Sequence, residues 1–320
     1  MTMFSFCFDL QDRSPHIRIG QQFNSKEKQY VRNRLWLPIY KDLCSRTTPF
    51  GKIKYLCFPG LGCNFIKQLL GLGYISKEHT VVVAVEPNKS WHKMIYEYFA
   101  ETFARGKYEV LEGNYEDLIQ EQRLTKWFIQ QPPGFDLLEL DFPVPLFSLN
   151  PEKRSMVLES IAKTLKLQAF FGRSFYMIAS FKAENPLPAN LGSVYGNSTK
   201  MLVKEILEKE NSLLKNKTLS NLISSDLTIA LFQEKCSLFA IPLAIIRRSE
   251  GICNVKLHQP PYSHISKSVG AKTRIMSYVF WCEPRNYTID SGGDKLFNET
   301  KRNIEEAIEK IDKTVWVQLE

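Results

Sequence analysis

Residues 53–64 read IKYLCFPGLGCN, and the fold follows from how this stretch changes character halfway along. Ile53 to Cys57 is apolar and β-favouring, while Pro59, Gly60, Leu61 and Gly62 break it. A buried strand that ends in a glycine turn and hands over to a helix is the opening of a βα unit. Glycine lets the chain turn tightly, and the helix start presents free N–H groups. The same rhythm continues to Asp141. A helix is expected from Asn64 to Gly71 and a buried strand at TVVVAVE (80–86). Next come a helix from Asn88 to Ala104 carrying Trp91, Ile95, Tyr98 and Phe99, and a strand at YEVLEG (108–113). A helical stretch from Tyr115 to Gln130, a Pro-Pro-Gly break and the strand FDLLELD (135–141) complete the run. Strand and helix signals alternating in this way predict a parallel sheet covered by helices.

Outward from this region, SKEKQYVRNRLWLPIYKDLCS (25–45) reads as a helix that Pro38 interrupts, with a basic face of Lys26, Lys28, Arg32 and Arg34. Beyond Asp141 a proline-rich turn leads to a helix near 152–167 and a strand at SFYMIASF (174–181). ENPLPANLGSVYGNS (184–198) reads as a loop, and helical signals resume from Thr199. SLFAIPLAIIRR (237–248) and RIMSYVFWCEP (274–284) read as two strands of a final antiparallel hairpin, followed by a charged helix, ETKRNIEEAIEKIDK (299–313). The expected organisation is an N-terminal helical extension, 1–50, ahead of one domain, 51–320, with a helical insertion around 185–230.

The chain has 320 residues, 44% hydrophobic and 24% charged, which is enough to bury a core and argues against disorder. No run of eighteen uncharged apolar residues occurs and the N-terminus is a poor signal peptide, so a soluble cytoplasmic protein with no membrane partner is expected. The seven cysteines form no C-x-x-C pair, and several lie in apolar runs; they read as reduced and structural. Five scattered histidines offer no metal-ligand pair, so no metal is expected. A net charge of +8 favours a polyanionic partner such as nucleic acid.

Four places carry chemistry. In the first, Pro59, Gly60, Leu61 and Gly62 bring backbone close to a nucleotide-like ligand. Phe65 stands where the third glycine of a dinucleotide fingerprint would be, which disfavours a nicotinamide enzyme. At the second, Glu86 ends its strand just before Pro87 and Asn88, placed to accept hydrogen bonds from ribose hydroxyls. The third is EGNYED (112–117), where Asn114 or Asp117 is expected to meet an adenine amino group. The fourth is FDLLELDFPVP (135–145), where Asp141 ends a parallel strand ahead of alternating prolines and Phe142 is available to stack on a base. HQPPYSHISK (258–267) with Lys272 and Arg274, together with Arg154, Arg247 and Arg248, are further candidates for phosphate contacts.

Glycine turn, strand-end acid, polar loop and D-F-P-V-P together resemble the class I S-adenosylmethionine-dependent methyltransferases. The fourth motif is similar to D-P-P-Y of amino-group methyltransferases and to the D-P-F-G-x-P turn of tRNA guanine dimethyltransferases. The likeness spans about 52–182. It implies a Rossmann-like α/β fold, with a mainly parallel seven-stranded sheet, helices on both faces and a C-terminal antiparallel hairpin. It implies S-adenosyl-L-methionine as cofactor, held by Pro59, Gly60, Leu61, Gly62, Glu86, Pro87, Asn114 and Tyr115. Asp141 with Phe142 and Pro143 would hold an exocyclic base amine, in RNA more readily than in DNA. Two positions depart from the pattern: Phe58 replaces an acidic residue before the first glycine, and Val144 replaces the aromatic of D-P-P-Y. These leave room for a methyltransferase-like binding or assembly protein without activity.

Overall fold

The computed structural model describes residues 26–46, 52–130, 133–142, 146, 151–182, 192–224, 229–268, 271–285 and 293–317. Its centre is one mixed sheet. Strands β1 (Lys54–Cys57), β2 (Val81–Glu86), β3 (Tyr108–Glu112), β4 (Leu137–Phe142) and β5 (Phe175–Lys182) are parallel in the order β3-β2-β1-β4-β5. Strand β8 (Ala271–Pro284) joins β5 antiparallel. The chain order reverses between β1 and β4, the place in an open parallel sheet where ligands are expected at the carboxyl ends of the strands.

The α/β expectation holds, with strands added at one end. The sheet has nine strands where seven were expected. Strands β6 (Cys253–Leu257) and β7 (Tyr262–Ser268) both pair with β8, successive pieces of one sheet position broken around Pro260 and Pro261. Proline has no N–H for the ladder, so the position divides there. A short β9 (Val315–Val317) lies parallel to β7 at the edge.

The hairpin partner of β8 is therefore β6 with β7, and not SLFAIPLAIIRR. That run lies in a helix, Ile229–Arg248, with Pro242 inside it. Leu238, Phe239, Ala240, Ile241, Leu243, Ile245 and Ile246 are all buried. A segment apolar all round carries no periodicity by which strand and helix can be told apart. Three further boundaries shift. The N-terminal helix does not stop at Pro38: α1 (Lys26–Val31) runs into a π turn (Arg32–Trp36) and on into α2 (Leu37–Ser45), whose first turn accommodates the proline. The segment 115–130 divides into two short helices, Tyr115–Gln120 and Thr125–Ile129. Of the expected loop at 184–198, the part from Gly192 already belongs to a helix, Gly192–Leu214.

Alternation along β4 assigns the faces. Leu138, Leu140 and Phe142 join the larger core, with Phe175, Met177, Ala179 and Phe181 of β5 and the C-terminal helices. Leu137 joins the opposite core, with Tyr55, Val82, Ala84, Tyr176 and Ile178, and with Leu35, Trp36, Ile39 and Tyr40 of the N-terminal helix. Glu139 and Asp141 share the face of Leu137, under that helix. Its position over the sheet is what builds the site.

Candidate functional site

The glycine turn closes tightly after β1, where Cys63 N donates to Gly60 O at 3.1 Å. Gly60 sits at φ +66°, and Cys63 is left-handed at φ 46°, an uncommon conformation for a residue with a side chain. Next in order, helix Asn64–Gly71 starts from Cys63 with no side-chain cap. Its first N–H groups therefore have no side-chain acceptor from the cap residue. Pro59 is buried and Leu61 and Gly62 are half-buried, so the turn presents backbone more than side chain.

Glu86 closes β2 one sheet position away. It is 6% exposed, and its Oε1 accepts from Asn88 N at 2.8 Å. Burial pushes its carboxyl above the usual range, opposed by that backbone donor and by His92. Pro87 is exposed, and Asn88 caps the helix Lys89–Thr102 by accepting from Ser90 N and Trp91 N. Along the free edge of β3 runs a cleft of about 470 Å³, lined by His92, Glu112, Arg123 and Lys126 among others.

The third-strand loop is placed differently from the sequence expectation. Asn114 Nδ2 donates to Asp117 Oδ2 at 2.9 Å, so these two polar side chains engage each other. Tyr115 points inward, 3% exposed, with its hydroxyl bonded to Thr164. Its ring centroid is 5.6 Å from that of Phe58 and 5.9 Å from that of Phe142. Phe142 stacks in turn on Phe181 at 5.1 Å and 14°. Both Tyr115 and Phe142 thus serve the core through their rings. Phe58 completes this aromatic group, and an acid there would be a charge against two rings, those of Tyr115 and Phe142. As placed, Phe142 has no free face for a base.

Asp141 is the most informative position. Its Oδ2 lies 2.7 Å from Lys28 Nζ, with side-chain exposures of 21% and 12%. Although burial alone would raise it, the nearby Lys28, Arg32 and His264 hold the Asp141 carboxyl below the usual range. Two residues earlier, Glu139 is 4% exposed and accepts from the Tyr40 hydroxyl at 2.9 Å. Burial pushes it up to about 7, against the pull of Tyr40 and Arg32. Arg32 is 6% exposed, its guanidinium 5.3 Å from the Phe65 ring and 5.7 Å from the Trp36 ring. His264, on β7, is 2% exposed and neither ring nitrogen has a partner. Desolvation and the neighbouring cations push it down to about 4. Two carboxyl groups, two cations and an imidazole thus meet beneath the N-terminal helix.

The basic face expected on that helix is therefore split: Lys28 and Arg32 turn inward, while Lys26 and Arg34 are exposed. Pro143 lies outside the described residues. Of the phosphate candidates, Arg247 is taken by Glu210, with Nε to Oε1 at 3.0 Å, and by Glu250. Arg274 lies 5.0 Å over the Trp316 ring, and Arg248 is exposed. Glu139 was not singled out from the sequence, and His264 entered only as part of the segment 258–267. Glu139 carried a signal, since a lone acid at i−2 from Asp141 in an apolar strand must share its face. His264 carried none beyond its place in a β-strand. Among the described residues there is no cluster of three metal-ligating side chains and no helix long and apolar enough to cross a membrane. All six described cysteines are buried and free.

No family model and no curated protein matches the chain. Solved structures with related architecture include the 16S rRNA methylase ArmA, at 14% identity and TM-score 0.28, covering 82% of this chain and 89% of ArmA. The plantazolicin methyltransferase BpumL, solved with SAH, is 9% identical at TM-score 0.34, covering 83% and 95%. A conserved hypothetical protein from Streptococcus pyogenes is 18% identical at TM-score 0.29, covering 43% and 72%. These likenesses are remote in sequence and in geometry, and the function has to be argued from the residues themselves.

Proposed function

We propose that this protein is an S-adenosylmethionine-dependent methyltransferase whose acceptor is an amine, with the exocyclic amine of a base in RNA as the acceptor class. The observation that carries the reading is the convergence, at the carboxyl ends of β1, β2 and β4, of the Gly60–Gly62 turn, Glu86 and Asp141. The nucleoside end of the cofactor fits this arrangement. Gly60 brings backbone close, the uncapped helix start offers N–H groups, and Glu86 keeps one carboxylate oxygen for a ribose hydroxyl. When bound, the cofactor supplies an electrophilic methyl group on a sulfonium.

The chain's own contribution is orientation. Asp141 already holds an ammonium group at 2.7 Å, which makes it a competent acceptor for the N–H of a substrate amine. Held ionised by Lys28 and Arg32, it would direct the amine's lone pair beneath the N-terminal helix, where Trp36 and Phe65 are buried. The net charge of +8 and the exposed Arg34, beside the Tyr30 ring, support a polyanionic substrate.

A second reading has its own support. Phe58, Tyr115 and Phe142 are all committed to packing, and Lys28 is seated on Asp141, which suits a binding or assembly protein that retains the fold without transfer. Calorimetric titration with S-adenosylmethionine addresses the cofactor. Binding should be seen, and Glu86→Gln should weaken it about tenfold; absence of heat with well-folded protein would remove the methyltransferase reading. A radiolabelled methyl screen over RNA, DNA and protein then addresses transfer. Binding without transfer to any of them would favour the second reading.

A further inference from the structure

The N-terminal helix is built in two unlike parts. Helix α2 is anchored by Ile39, Tyr40, Leu43 and Cys44, all buried, whereas α1 is only six residues long and contributes Glu27 and Val31. Between them lies the π turn of Arg32–Trp36. A π turn inside a helix marks a place where the regular ladder is already disturbed, and such turns recur at functional sites. The closed arrangement also leaves polar groups unmet. Arg32 Nε and both nitrogens of His264 are buried without a partner, beside the carboxylate that Lys28 occupies. Buried groups left unmet cost stability, so an interface selected only to stay shut would have resolved them.

We infer that α1 is a gate over Asp141: Lys28 stands where an acceptor amine is held, and α1 swings away about the π turn when an acceptor takes its place. This rests on the reading of Asp141 as the amine-holding residue. It makes the resting protein self-occupied, with the Lys28 ammonium as an internal competitor of the substrate amine. The groups left unmet by closure, Arg32 Nε and the His264 ring, are then available to the acceptor's other polar atoms.

The test is amide hydrogen exchange on the full chain, comparing the parent with Lys28→Met, which removes the ammonium and keeps an apolar side chain of similar length. Exchange across 26–31 should rise about tenfold while 37–45 stays protected. Asp141→Asn, which removes the charge from the other side, should have the same local effect. Unchanged exchange in both variants would overturn the gate, as would a rise that spreads through α2 and the sheet, because the ion pair would then be an ordinary structural contact. Titration of the same three proteins with S-adenosylmethionine separates the two ideas. Local opening without cofactor binding would leave the gate standing and the methyltransferase reading refuted.

Discussion

Replacing Glu139 by Gln should stabilise the protein at alkaline pH and leave it nearly unchanged in acid. Burial raises the Glu139 carboxyl from 4.5 to about 7, so the folded state keeps its proton where the unfolded chain has lost it. For a carboxyl raised in this direction, the stability it contributes is fully present below about 4.5 and is lost as pH rises to about 7. The rise corresponds to at most about 3 kcal/mol between those limits. Glutamine reproduces the neutral carboxyl in shape, can still accept from the Tyr40 hydroxyl, and does not ionise. His264 titrates with the opposite sign over an overlapping range, so the parent curve alone will not show the effect. The difference between variant and parent does, because His264 contributes to both. Urea denaturation from pH 4.5 to pH 8 should give a stability difference near zero at the acid end, growing to about 2–3 kcal/mol in favour of Gln above pH 7. A difference that stays flat, or that favours the parent at pH 8, would show that Arg32 and Lys28 bind the Glu139 carboxylate strongly enough to offset its burial. Burial would then not be what governs the protonation of Glu139.

Other changes test neighbouring parts of the structure. His264→Phe removes a ring whose protonation burial opposes. Because His264 is pushed down to about 4, the parent loses stability as pH falls below about 6.5, and the variant should lose less over that range in the same denaturation series. Arg247→Met strands Glu210, whose side chain is 4% exposed, and should cost about 3 kcal/mol by thermal denaturation; a loss below about 1 kcal/mol would mean that water reaches Glu210. Gly60→Ala places a side chain at φ +66° and should cost about 1–2 kcal/mol, with a parallel fall in affinity for S-adenosylmethionine by calorimetry. An unchanged affinity would indicate that the turn is not where the cofactor's backbone contacts lie.

The parallel half of the fold was legible because its signals are local. A strand such as VVVAVE, buried at every position, reads as one from six residues, and the Gly60–Gly62 turn announces the helix that follows. The run SLFAIPLAIIRR was not legible, because what makes it a helix is being covered on all sides by elements distant in sequence. Pro38 misled for a related reason: a proline forbids an N–H bond, but a π turn and a fresh helical first turn supply a geometry in which none is required.

The candidate site divides in the same way. Backbone features and strand-end acids could be placed from spacing, because the ends of parallel strands share one edge by construction. Whether a side chain at that edge faces a ligand depends on what the rest of the chain puts beside it. Phe58 shows this most clearly. As a sequence position it is the loss of an acid; in the structure it is one of four rings that pack behind β4. Lys28 shows the complementary case. It lies 113 residues from Asp141, and the sequence grouped it with Lys26, Arg32 and Arg34 on one basic face. Lys28 and Arg32, one regular helical turn apart, share a face and both meet the carboxylates of β4, while Lys26 and Arg34 are exposed. Whether that face meets solvent or a strand-end carboxylate is decided by how the helix lies over the sheet, which the helical period by itself does not specify.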